Sequence, residues 1–397
     1  MFHKIAIENF FSIAERQELD LKVPGNAPDL ICFRDSQAIA GQRLPLIAAI
    51  YGPNASGKST VLRAITATAT FVQHSFGLQP NSSIPFFNPY AHNDWMSRPT
   101  KILIEYDGQL GATAAPAVFR YELHIENDPK QFAKEVIFES LSYAPHGKFR
   151  RIFERSRQAF LFGREFGITD SDTRTQSIRP NASIISTLAQ LNHKLSNDFI
   201  LSLQGLKTNI AGLDKSIGGL PNILSFYAHH PDYLKRLNHE LSRLDLGLEE
   251  MKIYPGTPGP LAMFKHVGLD SEIILAQESA GTRRFIEIFP LLQFVLDNGG
   301  LAVIDELDSD IHPNLIPELF RWFYDKQRNK KGAQLIFTAH NPTILDELQK
   351  EQAFFSEKPS GKSTQIFGAR DIKGLRREPS LMKKYLSGEL GAVPHIG

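Results

Sequence analysis

The sequence predicts an α/β fold: a mainly parallel sheet with helices, plus an antiparallel β lobe, and an inserted helical lobe. Three observations predict it. The apolar run LPLIAAIY at 44–51 leads into the glycine-rich stretch GPNASGKST and then into helical spacing. Near the end of the chain, LAVIDE at 301–306 and AQLIFTAH at 333–340 are two more apolar runs, each preceded by a helical pattern. Continuous apolar runs suit strands buried on both faces, and their alternation with helices suits a parallel sheet. Between these ends, KILIEYDG, FRYELHIEN and EVIFESLSYA alternate with turn signals and read as antiparallel strands.

In chain order, residues 2–8 form a first strand and 44–51 the buried strand before the glycine-rich loop. VLRAITATATFVQHSF continues as a helix, and 75–100, rich in Pro, Asn and Ser, as a loop. Residues 183–205 and 229–252 read as helices. FIEIFPLLQFVLDN is helical, and PNLIPELFRWFYDKQ is a helix with Pro313 at its first position. The pattern divides the chain into 1–182, an N-terminal α/β part with its β-rich insert; 183–275, the helical lobe; and 276–397, the C-terminal α/β part.

Hydrophobic residues make up 42% of the chain, enough for a sizeable core, while 44 Lys and Arg balance 43 Asp and Glu. Such balance excludes a bulk-charge argument for a nucleic-acid or membrane partner. The one cysteine, Cys32, excludes an intrachain disulfide framework and fits a cytoplasmic protein. MFHKIAIENFFSI alternates like a strand, so no signal peptide is expected, and no apolar run suits a membrane span. KFRRIFERSR at 148–157, KQRNKK at 326–331 and KGLRREPSLMKK at 373–384 are locally basic. Runs of this length are mostly solvated faces; the first is the better candidate for nucleic acid.

Gly52, Pro53, Asn54, Ala55, Ser56, Gly57, Lys58, Ser59 and Thr60 fit the whole phosphate-binding pattern G-x₄-G-K-S. Strand, loop and helix follow in the order that aims backbone N–H groups and a helix N-terminus at an anion. Lys58 would reach the β- and γ-phosphates of ATP, and the Ser59 hydroxyl would ligate Mg²⁺. GKST occurs again at 361–364, but Ser356 stands where the pattern needs its first glycine, and no helix follows. AFFSE and TQIFG flank that copy like hairpin arms, so it reads as a solvated turn.

LAVIDE sets Asp305 and Glu306 at the C-terminal end of a buried strand, the edge where parallel sheets bind ligands. Asp305 is suited to hold Mg²⁺ through water, and Glu306 to polarise an attacking water. His340, ending the next strand, could contact the γ-phosphate. Ser279, Ala280 and Gly281 open a helix with little bulk, which lets its N-terminus approach a phosphate closely.

The order of these motifs resembles the ABC-type P-loop ATPase head, in which one subunit's signature completes another's phosphate site. ESAGT stands here where LSGGQ is the common form, so Ala280 and Thr282 depart from it. LDSDIHP puts His312 where many relatives carry the D-loop aspartate. This DE-x₅-H-P pattern is similar to OLD-type and RloA-like ATPases of bacterial defence systems. So are IENFFSI, HNPTILD and the ending KKYLSGELGAVPHIG. The resemblance implies nucleotide contacts for Ser279, Gly281 and His312. Phe11 replaces the Arg of the relatives' ENFRSF, which removes that cation. Gln73 and Gln79 are the candidates for a Q-loop glutamine.

The resemblance implies a homodimer or higher homo-oligomer that binds and hydrolyses ATP between heads. No sustained heptads provide coiled-coil arms. The chain runs only about 55 residues past His340, so a nuclease or toxin effector is expected on a separate partner. The role implied is antiphage defence or abortive infection. An armless, RecF-like DNA-handling ATPase is the alternative, with nucleic acid as its partner. A transporter subunit conflicts with the wide spacing between Lys58 and Ser279, and a metabolic kinase needs neither ESAGT nor His340.

Overall fold

The computed structural model describes residues 1–111, 114–128, 130, 132–145, 147–169, 172–210, 220–244, 247–257, 259–359, 362–376 and 380–393. The first half holds β1 (Phe2–Glu8), β2 (Gln17–Asp20), β3 (Phe33–Asp35), β4 (Arg43–Pro45), β5 (Ile47–Tyr51) and α1 (Lys58–His74). Then come β6 (Thr100–Gly108), β7 (Ala117–Asp128), β8 (Phe132–Ala144), β9 (Arg150–Ser156), β10 (Ala159–Phe162), α2 (Ile184–Gln190) and α3 (Lys194–Leu203). The second half holds β11 (Leu206–Thr208), α4 (Leu220–His229), α5 (Pro231–Arg243), β12 (Leu248–Tyr254), β13 (Leu261–His266), β14 (Ile273–Ile274) and α6 (Ala280–Asn298). It ends with β15 (Leu301–Ile304), α7 (Ile316–Tyr324), β16 (Gln334–Thr338), β17 (Ala353–Glu357), β18 (Gln365–Gly368) and α8 (Leu381–Leu386).

The central sheet runs β11-β15-β16-β5-β17-β18, parallel except for β18, which turns back along β17. Its strands read as unbroken apolar runs because each face has its own core. Ile47, Ala49 and Tyr51 join Ala302, Ile304, Leu335 and Phe337 on the α6–α7 face. Ala48 and Ile50 join Val303 and Ile336 on the opposite face, against α1. The period of two in each strand therefore feeds two cores. α1 lies between this sheet and an antiparallel one, β10-β9-β8-β7-β6-β1-β2, and buries most of its length between them.

α6 passes through Pro290 without ending. Proline has no N–H, so the carbonyl one turn back, on Ile286, loses its helical donor. The buried Tyr227 hydroxyl on α4 supplies one at 3.0 Å. A buried carbonyl is thus satisfied from outside the helix.

The basic stretch 148–157 is not one solvated face. It forms β9, whose period of two turns Arg155 fully inward, 3.7 Å from the equally buried Glu139. Tyr121, Ser183 and the Ile184 N–H donate to Glu139, and Arg155 donates to the carbonyls of Ala182, Arg179 and Arg157. Burial raises the Glu139 carboxyl and lowers the Arg155 guanidinium from their ordinary values, the expected response to a low dielectric. Arg157 pairs with Glu126 and Glu135. Lys148, Arg150 and Arg151 are its exposed basic residues outside these ion pairs. In the second stretch, Arg328 lies over Trp322 and pairs with Glu240, and Asn329 is buried. Residues 377–379 of the third lie outside the described residues.

The expected helix at 229–252 is also corrected. Pro231 starts a new helix after His230, that helix ends at Arg243, and 248–254 is a strand. Gly247, in the left-handed region, precedes the strand. The span 183–275 is therefore mixed: β12-β13-β14 form a small antiparallel sheet, α2 packs on α1, and β11 joins the central sheet. Residues 211–219 of that span lie outside the described residues. So do the last four residues of the C-terminal motif. No described helix is long and apolar enough to cross a membrane.

Candidate functional site

β5 ends at Tyr51 and the chain turns through Gly52–Gly57 into the first residue of α1, Lys58. Gly57 adopts φ 105°, and a Cβ there would stand 2.2 Å from the Thr364 hydroxyl. Only glycine fits such an approach. Lys58 is 5% exposed, with Nζ donating to the carbonyls of Gly52 at 2.8 Å and Pro53 at 3.1 Å. Burial holds its ammonium below the ordinary lysine value, partly offset by the carboxylates of Asp305, Glu306 and Asp308. A cation held by two carbonyls at the mouth of a loop can exchange them for anionic oxygens, so the residues present fit a phosphate chain.

The next strands bring the acids beside it. Ser59 Oγ donates to Asp305 Oδ1 at 2.9 Å, and Thr338 Oγ1 donates to the same oxygen at 2.6 Å. A hydroxyl and a carboxylate held together are hard oxygen donors, the set that suits Mg²⁺. Thr338 Oγ1 also accepts the Glu306 N–H at 2.7 Å, so one threonine at the end of β16 sets both acids. Glu306 is held at φ 52°, a left-handed conformation costing about 1–3 kcal/mol for a non-glycine residue. Its Oε1 lies 3.6 Å from His340 Nε2, and both side chains are partly solvated. The backbone of His340 is fixed by Asp308, whose Oδ2 accepts the N–H groups of His340 at 2.9 Å and Asn341 at 2.6 Å.

Lys58, Ser59, Thr60, Asn54, Ala55, Gly57, Glu306 and His340 line one cleft of about 810 Å³. Ala55 and Phe11 share the left-handed strain of Glu306 on its border. A second cleft of about 570 Å³ adjoins it, lined by Asn209, Ala280, Arg284, Asp305 and Asp310, with Arg63 and Glu306 common to both. Ser279 caps α6, its Oγ accepting the Thr282 N–H at 3.0 Å. Gly281 leaves room for the Asp310 carbonyl, 2.5 Å from where a Cβ would stand. His312 is exposed and caps a short turn through Asn314. Ser279, Gly281 and His312 thus lie on the α6 and D-loop edge, outside the P-loop cleft of their own chain.

Several cleft residues carried no sequence signal. Asn209 exchanges two hydrogen bonds with the Asp305 backbone, at 2.9 and 2.8 Å. Arg284 donates to the carbonyl of Asp305 at 3.0 Å. The Arg63 guanidinium on α1 stands 5.6 Å from the Phe11 ring centroid. Neither Gln73 nor Gln79 lines the cleft. Gln73 is in the last turn of α1, roughly 22 Å along the axis from Lys58 at 1.5 Å per residue. The 78–99 loop contributes Asn88 and Tyr90 instead.

Residues 47–346 match the family model described as "AAA domain, putative AbiEii toxin, Type IV TA system". No curated protein matches the chain. Among solved structures, an SMC head bound to the C-winged helix domain of ScpA is 13% identical, with TM-score 0.50, covering 96% of this chain and 99% of that one. The SMC head domain from Thermotoga maritima is 14% identical with TM-score 0.43, covering 92% and 98%. A Pyrococcus furiosus Smc head with an extended coiled coil, bound to the C-terminal domain of ScpA, is 13% identical with TM-score 0.45, covering 98% of each chain. At such identity the likeness is one of fold, and the fold is that of an ABC-type ATPase head. Because the family model spans most of the chain, the protein belongs to this AAA-domain family.

Proposed function

We propose that this chain is a Mg²⁺-dependent ATPase whose head pairs with a second copy around ATP. The paired state regulates a separate effector, a nuclease or toxin, in bacterial antiphage defence of the OLD-like and RloA-like kind. The observation that carries the proposal is the convergence of Lys58, Ser59, Glu306 and His340 on one cleft, with Asp305 bonded to Ser59 from the adjoining one, at the ends of three neighbouring parallel strands. The family description, which names a toxin and a Type IV TA system, supports the defence reading.

In this reading Lys58 leaves the Gly52 and Pro53 carbonyls and meets the β- and γ-phosphates. Ser59 and Asp305 hold Mg²⁺, which when bound neutralises charge on the phosphate oxygens. Glu306, poised by Thr338 and Arg284, takes a proton from the attacking water at its carboxylate. His340 faces the same oxygens and registers whether the terminal phosphate is present. Ser279, Gly281 and His312 stand away from their own phosphate loop because they serve the loop of the second copy.

Glu306→Gln keeps the side-chain shape and removes the base, so it should hold ATP without turning it over. Its mass in solution is expected to double on adding ATP and Mg²⁺, and to stay single with ADP. A mass that stays single for both the variant and the parent with ATP would contradict pairing on nucleotide.

A further inference from the structure

The second GKST copy is not only a solvated turn. Lys362 is exposed, and Ser360 and Gly361 lie outside the described residues, but Thr364, immediately before β18, is fully buried. Its Oγ1 donates to the carbonyl of Ser56 in the P-loop at 2.7 Å. Ser356, also fully buried, on the facing strand β17, donates to the same carbonyl at 3.0 Å. The Thr364 N–H is held by the Ser12 carbonyl at 2.8 Å. Ser12 Oγ lies 2.9 Å from both Thr364 Oγ1 and Thr60 Oγ1.

The Thr364 hydroxyl has one proton and two acceptors within reach, the shorter contact being the carbonyl. It donates to the Ser56 carbonyl at 2.7 Å, with Ser12 Oγ as a second acceptor at 2.9 Å, and between Ser12 and Thr60 either hydroxyl can donate. The two GKST threonines, Thr60 and Thr364, therefore meet at one hydroxyl, Ser12 Oγ, beside the P-loop backbone. A trans peptide points its C=O and its N–H to opposite sides. With two hydroxyls drawing the Ser56 carbonyl toward the hairpin, the N–H of Gly57 on the same peptide is turned away from it, to the side where a phosphate loop presents its donors.

Resting on the nucleotide-site reading above, we propose that Thr364 and Ser356 are positioning residues for phosphate binding. They set the Ser56–Gly57 peptide, and the hairpin is a working part of the nucleotide site. Neither touches the nucleotide.

The test uses the full chain as parent, T364V, T364S, S356A and K58A, titrated with a fluorescent ATP analogue and Mg²⁺ and melted in parallel. T364V keeps the shape and loses the donor. Loss of a buried carbonyl's partner predicts binding about tenfold weaker for T364V and about fivefold weaker for S356A. T364S keeps the hydroxyl but loses a buried methyl. It should melt lower and yet bind within about twofold of the parent, which a merely structural role would not produce. Should T364V fail to fold, S356A carries the prediction alone. The proposal is overturned if T364V, or S356A in its place, binds like the parent while K58A does not. If K58A also binds like the parent, the nucleotide-site reading itself falls.

Discussion

Replacing Glu306 with Gln is expected to lower ATP turnover by about 10²–10⁴-fold, the usual contribution of a positioned general base. The side chain stands at the end of the buried strand β15, where the strained backbone at φ 52° turns it into the cleft. Its N–H is held by Thr338 and its carbonyl faces Arg284, so the exchange of one oxygen for an amide leaves the backbone where it was. What changes is the charge beside His340 and the ability to take a proton. Nucleotide affinity should stay within about threefold of the parent, because the loss is confined to the reacting state. Phosphate release under saturating ATP reads the first number and equilibrium binding the second. Turnover near the parental rate would remove Glu306 from the reaction.

Lys58→Ala is expected to weaken ATP binding by about a hundredfold or more, the usual loss when a charged, nearly buried donor is removed from an anion. Its folded-state value is depressed by burial below the unfolded one. The native chain therefore binds that proton less tightly than the unfolded chain. The group's relative contribution to stability is greatest above the ordinary lysine value near 10.5 and is lost as pH falls through the depressed folded value. At neutral pH the buried ammonium is thus no asset to the fold, and its removal should shift the melting temperature by no more than about 3 °C. Lost binding with an unchanged melt separates a phosphate ligand from a packing residue. Retained binding would contradict the account of the cleft.

Much of the head was legible because its signals are local. β5, β15 and β16 announce themselves as apolar runs, since each is buried on both faces. The glycine-rich loop and the two acids stand at strand ends, where their spacing alone suggests a site. The hairpin around the second GKST was legible for the same reason. Residues whose meaning depends on distant partners were not. Asn209 sits 96 positions from the acid it steadies, and Thr364 308 positions from the carbonyl it holds. β11 is three half-buried residues and exists only because β15 offers an edge. In β12, Glu249 and Glu250 sit beside a register shift that broke the alternation a strand usually shows, so the segment read as helix. Arg155 looked like part of a basic run because charge patterning does not say which side of a strand faces water.

Subunit mixing tests the central claim, that ATP is held between the phosphate loop of one copy and the Ser279 edge of another, most directly. Lys58→Ala spoils the loop, and Ser279→Arg crowds the small-residue edge while leaving the P-loop of its own chain intact. Each variant alone should show almost no turnover. Mixed in equal amounts, they should recover about one quarter of the parental rate, since half the pairs are mixed and each mixed pair keeps one whole site. Full activity of Ser279→Arg alone, or no recovery on mixing although it still binds ATP, would contradict a site shared between two heads.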